Sequence, residues 1–308
     1  MVHVAIPSDD AYWRFAAVTA CSAAKECSLP VAVHLIDGGV TDAHWDEFCA
    51  AVEKVKPGTV CLRHRFEADP ALPLWHGSRI TWSRLFLHQM LPDVDWVISA
   101  DADVLFSGDV AALWDLRDDR YLIIPSKDRP LPWMKWNEKA IAWHQENGCA
   151  IERPEDYFCV GLCLLNLKGL REEKSYDPIG FLKLHPEPIY PDQSVLNYLL
   201  QGRQKILPNE WGAFSGDDNR AIDTARPFAL HFVSDAPWKR TKVTQLISEP
   251  VLWWHRFAAE TLGWKFKVPG WWWRRALYVF LKKNPWVVGW NTRLKFHFRN
   301  AVEWMSVE

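Results

Sequence analysis

Asp101 and Asp103 stand two residues apart near the middle of an apolar run, WVISADADVLF, from Trp96 to Phe106. On a regular strand, residues i and i+2 point to one face. Two carboxylates so placed can grip one divalent cation, and that cation can in turn hold a diphosphate. The triplet alone is short and common, and a strand-end turn with solvated acids has the same pattern. A second acidic pair, Asp9-Asp10, closes the apolar run VHVAI near the start of the chain. Asp192-Gln193 follows Pro191 at the head of a helical stretch, and His231 lies inside the apolar run FALHFV. A lone histidine in such a run is more often a core or surface residue than a ligand.

The elements that must position these residues can be read from periodicity. Val2 to Ile6 is a buried strand ended by Pro7, Ser8, Asp9 and Asp10, and an Ala-rich helix follows from Tyr12 to Ala24. Val31 to Asp37 is a second strand closed by Gly38-Gly39; Asp42 to Val55 is a helix and Val60 to Phe66 a third strand. Thr81 to Met90 is helical, with Arg84 equally suited to a solvated face. Trp96 to Phe106 is a fourth strand that runs straight into the two carboxylates. A short helix (Val110 to Trp114), strands at Tyr121 to Pro125 and Cys159 to Leu167, a helix from Asp192 to Leu200 and a last strand at Phe228 to Val233 complete the series. This alternation predicts an α/β fold, a Rossmann-like, mostly parallel sheet flanked by helices on both faces. Ligands bind such sheets at the carboxyl ends of the strands, where both acidic pairs fall. Residues 126–156 lack a sheet pattern but contain a helical stretch ended by Gly148, and an excursion of that length suits a lid or an acceptor-binding loop.

Composition sets the outer limits. With 308 residues, 49% hydrophobic and 24% charged, the chain can bury a sizeable core, and wholesale disorder is excluded. The seven Cys form no Cys-x-x-Cys pair, and Cys159 and Cys163 lie in an apolar run, so buried free thiols in a reducing compartment are expected. No signal peptide and no run of about 18 apolar residues is visible, which points to a cytoplasmic protein. The net charge of −2 hides an asymmetry: residues 261–302 carry nine Lys or Arg and no acid, leaving 27 basic against 38 acidic residues elsewhere. The segment Pro269 to Glu308 also interleaves Trp with these cations. A Trp- and Lys/Arg-rich amphipathic tail suits an anionic membrane surface at the inner face of the cytoplasmic membrane, while packing of its aromatics on the body is the plainer alternative. No nucleic-acid reading motif is recognisable, so nucleic acid is not an expected partner.

The run ISADADVLFSGDVAALW is similar to the metal-binding signature of glycosyltransferase family 8, the family of lipooligosaccharide galactosyltransferases and glycogenin. Four further blocks resemble the family in the right order: TWSRLFL (Thr81 to Leu87), YFCVGLCLLNLKGLR (Tyr157 to Arg171), YPDQSVLNYLL (Tyr190 to Leu200) and HFVSDAPWK (His231 to Lys239). Five ordered blocks are far more specific than any one of them. The resemblance implies a GT-A catalytic domain over residues 1–240, with residues 241–308 as a C-terminal helical, aromatic and basic annex. It implies a retaining hexosyltransferase moving glucose or galactose from a UDP-sugar to a glycan or lipid-linked acceptor such as lipopolysaccharide. Asp101, Asp103 and His231 would ligate Mn²⁺, with Mg²⁺ as the alternative ion; two carboxylates and an imidazole suit Mn²⁺. Asp9 would hydrogen-bond the uracil and Tyr12 stack on it, although Tyr12 also fits a helix-face core position. Arg84 would lie near the diphosphate or sugar. Ala102, Cys159 and Val160 would line the donor, and Gly161 would let the backbone approach the sugar. Asp192 would bond sugar hydroxyls and Gln193 would sit beside the anomeric carbon. A glutamine is a poor nucleophile, so retention implies attack from the face of the leaving diphosphate.

The chain departs from the family pattern in places. Ala11 stands where the family has an Asn, and Cys159 replaces the family's sugar-binding Asn with a weaker hydrogen-bonding group. The closing block has Ser234 for Gly, is one residue short and lacks the Lys before Pro237-Trp238; Lys239 follows instead, as a candidate cation for the diphosphate. Two other function classes fit single features. Haloacid-dehalogenase-type phosphatases also use an Asp-x-Asp, with Gly216-Asp217-Asp218 imitating their later acidic motif, but their triplet follows the first strand and this one the fourth. A non-catalytic domain that binds nucleotide-sugar or glycan would retain the fold without turnover.

Overall fold

The computed structural model describes residues 1–128, 135–214, 227–233, 236–238, 249–266 and 280, and it divides into two compact units. The first unit runs from Met1 to Ala213 and includes the described residues that end at His231; Phe214, and Phe232 with the described residues after it, belong to the second.

In the first unit, β1 (Val2–Ser8) is flanked by β2 (Val31–Asp37) and β4 (Trp96–Ala100), and β3 (Val60–Arg65) lies outside β2. All three of these pairings are parallel. The sheet order is β3-β2-β1-β4-β7-β6, with β7 (Phe158–Asn166) antiparallel to β4 and β6 (Ile123–Lys127) antiparallel to β7. The sheet is thus mostly parallel, as expected, with an antiparallel edge. The strands β2, β4 and β7 are buried along their whole length, which is why they read as continuous apolar runs rather than alternating ones.

Helix α1 (Trp13–Glu26) packs on the parallel strands β1 and β2, and α2 (Asp42–Val55) packs on α1. α1 buries a run of small residues from Ala16 to Ala24, which lets it lie close to the sheet. The predicted bounds of β2 and α2 match the structure. The stretch from Thr81 begins as a 3-10 helix (Ile80–Phe86) and closes with one α turn, α3 (Leu87–Met90). Short helices α4 (Val110–Trp114), α5 (Lys135–Glu146), α6 (Leu167–Glu172), α7 (Pro178–Leu184) and α8 (Pro191–Leu199) complete the unit.

Three expectations need correction. β1 does not stop before Pro7 but runs to Ser8. Pro7 pairs with Ile36, and β4 pairs only with Val4 and Ala5, so the end of β1 has a single neighbour and tolerates a missing N–H. β6 likewise continues past Pro125 to Lys127 through a register shift between Pro125 and Ser126. The largest difference concerns the fourth strand. Trp96 to Phe106 is two strands, because the chain leaves the large sheet at Ala100, turns through Asp101–Asp103 and enters a small sheet as β5 (Val104–Phe106). The two carboxylates therefore sit in a turn and not on one face of a strand. The small sheet has the order β5-β9-β8, with β8 at Ala213–Phe214 and β9 at Ala229–His231.

In the second unit, α9 (Glu249–Phe257) continues into a π-helical turn, Ala258–Leu262. Trp254 packs there against Trp238, His255 and Phe266, and the His255 imidazole lies 3.0 Å from the Pro237 carbonyl oxygen. Among the described residues no helix is long and apolar enough to cross a membrane. The basic tail from 267 onward, apart from Phe280, and Gly216-Asp217-Asp218, Ser234 and Lys239 lie outside the described residues.

Candidate active site

The strand order brings the chemistry-bearing residues to one edge of the sheet. β1 ends at Ser8 and its parallel neighbour β4 at Ala100, so Asp9 and Asp101 both follow strands that end at the same edge of the sheet. β7 runs the opposite way, so its first residues, Phe158 to Gly161, arrive where β4 departs: Leu162 pairs with Ala100, and the Asp101 N–H donates to the Gly161 carbonyl at 2.8 Å. The turn that holds Asp101 and Asp103 is pinned from below by Thr19 of α1. Its buried hydroxyl lies 3.0 Å from the Ala102 carbonyl and 2.7 Å from that of Val104.

His231 reaches the turn through the small sheet. β5 starts right after Asp103 and pairs antiparallel with β9 in a register that sets Val104 opposite His231. The ligand atoms of Asp101, Asp103 and His231 consequently lie within 4.8 Å of one another. His231 Nε2 is 3.3 Å from Asp103 Oδ1 and 3.6 Å from Asp101 Oδ2. The ring occupies space that a side chain at position 161 would take, since a Cβ on Gly161 would overlap the imidazole. This use of Gly161 was not foreseen.

Electrostatics at the cluster are strongly coupled. Burial works against a charged His231, but the adjoining Asp103 and Cys159 more than offset this and raise its pKa well above the usual value. Burial also works against an ionised Asp101, yet Arg84 and His231 hold its carboxyl down to about 2. Asp103 Oδ1 is buried and accepts no directed hydrogen bond; the 3.3 Å approach of His231 is an ion-pair contact only. A buried carboxylate oxygen in that state calls for a cation. The donor set of two carboxylates and one imidazole, with an acceptor atom left over, fits a divalent metal. Among the described residues this is the one cluster of three or more His, Cys, Asp or Glu able to hold an ion.

Arg84 is not on a solvated face. It is 3% exposed and bridges the Asp101 and Asp192 carboxylates, while its Nε donates to Ser99 Oγ at 3.0 Å. Burial opposes its charge, and the two flanking carboxylates restore it. One cation serves two acids, and burial dominates at Asp192, whose pKa is pushed up. Asp192 also receives the Thr81 hydroxyl at 3.5 Å and the Gln193 N–H at 3.0 Å. The Gln193 side-chain amide donates to Asp128 Oδ2 at 3.0 Å, which fixes the orientation of the amide. Asp128, Thr19 and Ser99 escaped the sequence reading. Only Asp128 carries a signal, an acid directly after a strand, and it was obscured because Pro125 reads as a stop.

The nucleotide end is laid out differently. Asp9 Oδ1 accepts the N–H groups of Ala11 and Tyr12 at 3.1 and 3.2 Å, forming the turn that starts α1. Asp10 accepts from Thr41 N–H at 2.8 Å and approaches His44 Nδ1 at 2.7 Å. Tyr12 packs edge-on against Phe15 with ring centroids 5.6 Å apart. Cys159 and Val160 are buried on β7, and the Cys159 sulfur lies 3.7 Å from His231 Nδ1. All seven cysteines are free thiols, five of them buried.

A mostly parallel, helix-flanked sheet with an acid-acid-imidazole cluster at its carboxyl edge defines an α/β protein with a cluster able to hold a cation. The comparisons with known proteins narrow that class. Residues 3–242 match Glycosyl transferase family 8, and the chain belongs to this family. It is 25% identical over 223 residues to a lipopolysaccharide 1,2-glucosyltransferase of Escherichia coli (strain K12), a match covering 67% of this chain and 60% of that protein. A putative glycosyltransferase of Haemophilus influenzae is 24% identical over 136 residues, or 44% of this chain and 39% of that one. The chain thus spans less than two thirds of the length of these relatives, 60% of one and 39% of the other. Among solved structures, galactosyltransferase LgtC in complex with donor and acceptor sugar analogues superposes with a TM-score of 0.68 at 22% identity, covering 88% of this chain and 99% of that one. The bifunctional glycosyltransferase WbbM gives 0.67 at 19% identity over 90% of this chain and 51% of its own. These similarities establish the GT-A fold.

Proposed function

We propose that the protein is a retaining hexosyltransferase that moves glucose or galactose from a UDP-sugar to a glycan or lipid-linked acceptor such as lipopolysaccharide, with Mn²⁺ as its ion. The observation that carries this is the Asp101, Asp103 and His231 cluster, whose ligand atoms lie within 4.8 Å of one another, set beside the Arg84, Asp192 and Gln193 network. The names of the relatives, a lipopolysaccharide glucosyltransferase and a galactosyltransferase, support a hexose and a surface-glycan acceptor. A divalent ion held by Asp101, Asp103 and His231 supplies positive charge that neutralises a leaving diphosphate. Arg84 holds Asp192 in place for sugar hydroxyls. Asp128 anchors the amide nitrogen of Gln193, so its carbonyl oxygen is the end presented to an electron-poor anomeric centre. Asp9 and Tyr12, at the carboxyl end of β1, serve the uracil, with Ala102, Val160 and Gly161 along the donor and Lys239 toward the diphosphate. The Trp- and Lys/Arg-rich segment past residue 267 would bring the enzyme to an anionic membrane, where such an acceptor resides.

Calorimetric titration of UDP in Mn²⁺ or in EDTA, on the wild type and on Asp103→Ala, tests the donor site. Binding that requires Mn²⁺ and is lost in Asp103→Ala is the expected result. UDP binding that is indifferent to metal and to Asp103, or no binding at all, would overturn the assignment.

A further inference from the structure

His231 has two ring nitrogens, and only one of them faces the carboxylates. Nε2 is the nitrogen within 3.3 and 3.6 Å of Asp103 and Asp101. A nitrogen that ligates a cation must offer a lone pair, so the ring proton must sit on Nδ1. The ring is 4% exposed, and a buried N–H requires an acceptor. Among the described residues, the sulfur of Cys159 lies 3.7 Å from Nδ1, on a residue that is itself 5% exposed.

We propose that Cys159 is a positioning residue for the metal site: its sulfur accepts the Nδ1 proton of His231 and holds the ring with Nε2 turned to Asp101 and Asp103. The inference rests on the reading of those three residues as a metal site. Cys159 and Gly161 lie two apart on β7 and therefore share a face. Gly161 makes the space for the ring, and Cys159 sets its rotation. Both residues fall where β6 loses its regular register: Ser126 pairs with Cys159 after Pro125 pairs with Cys163, and the Ser126 hydroxyl donates to the Cys159 carbonyl at 3.3 Å. The shift fixes the backbone from which the sulfur projects. Metal-bound histidines generally hand the outer N–H to a carboxylate or carbonyl; here a thiol takes that place. Cys159 stands on the nitrogen remote from the carboxylates, so it orients a ligand without being one.

The test uses Mn²⁺ alone, titrated into the full chain as wild type, Cys159→Ala and Cys159→Ser, with thermal melts run in parallel. The expected result is a roughly 10- to 100-fold loss of Mn²⁺ affinity in Cys159→Ala, the range for loss of such outer partners, with recovery to near wild type in Cys159→Ser, whose hydroxyl is again an acceptor. The Co²⁺-loaded wild type should show no sulfur-to-metal charge-transfer absorption. Unchanged Mn²⁺ affinity in Cys159→Ala would overturn the proposal, and so would a charge-transfer band that Cys159→Ala removes, because Cys159 would then be a ligand. Failure of the wild type to take up Mn²⁺ would overturn the metal reading itself, an outcome distinct from uptake that ignores Cys159.

Discussion

His231 and His34 are both buried in the first unit, and their surroundings treat them in opposite ways. His231 lies among Asp101, Asp103 and Cys159, and its pKa is raised well above the usual value. His34 lies in the middle of the parallel strands and is only 2% exposed. Its Nε2 is 2.9 Å from His3 Nδ1 and its Nδ1 is 2.9 Å from His64 Nε2, so three imidazoles form a ladder across β1, β2 and β3. Burial, reinforced by its two neighbours, pushes His34 down to about 3. Neutral His34 has one N–H, so it donates to one neighbour and accepts from the other. The difference teaches that burial depth does not decide charge here. Burial opposes the charge at both: at His34 it prevails, reinforced by the neighbouring imidazoles, and at His231 the carboxylates outweigh it.

The largest effect is expected where the charged region loses its shared cation. Arg84→Met would leave Asp101 and Asp192 facing each other in a buried site. Removing one partner of a buried ion network typically costs about 3–5 kcal/mol. Denaturant unfolding should show that loss, and an unchanged midpoint would mean that Arg84 does not bind the two acids together.

A smaller effect should follow when the cluster keeps every charge and loses only its geometry. Gly161→Ala places a methyl group where the His231 ring sits. The ring must rotate away from Asp103, so Mn²⁺ affinity should fall by roughly 100-fold, the upper part of the range for misplaced ligands. Far-UV circular dichroism should stay near wild type, because β7 keeps its ladder. Retained affinity would show that the cluster tolerates a displaced imidazole, and the contrast between the two regions would then rest on charge alone.

How far these regions were legible in the sequence follows from the range of the contacts. β2 and α2 were readable to the residue because an apolar run bounded by Gly38-Gly39 and an amphipathic run opened by Thr41 are local signals. Asp101 and Asp103 were readable as a pair, and His231 joined them only through the order of the family blocks. The break at Ala100 was not readable, since apolar residues on both sides of the triplet look like one strand and periodicity does not say that β5 changes sheets. Cys159 and His231 are 72 residues apart, and no spacing rule connects them. The ladder was invisible for the same reason, because His3, His34 and His64 each read as a lone histidine until parallel pairing stacks the strands that carry them.

The neutral region makes the last prediction, and its sign runs opposite to a salt bridge gained on folding. Unfolded His34 takes up a proton near its model value of 6.5, whereas folded His34 does so only near 3. Between those values the unfolded chain binds the extra proton, so stability contributed by the neutral ladder is complete above about pH 6.5 and is lost as the pH falls toward 3. Linkage sets the size: one such group lowers stability by about 2 kcal/mol between pH 7 and pH 5. His34→Gln keeps a donor and an acceptor but cannot titrate. Its stability should therefore fall less on acidification than that of the wild type, by about that amount, whatever its stability at pH 7. Unfolding curves at pH 7 and pH 5 for both proteins give the difference directly. Parallel slopes would mean that His34 takes up a proton in the folded state as readily as in the unfolded one, and that the ladder is not held neutral by its own rings.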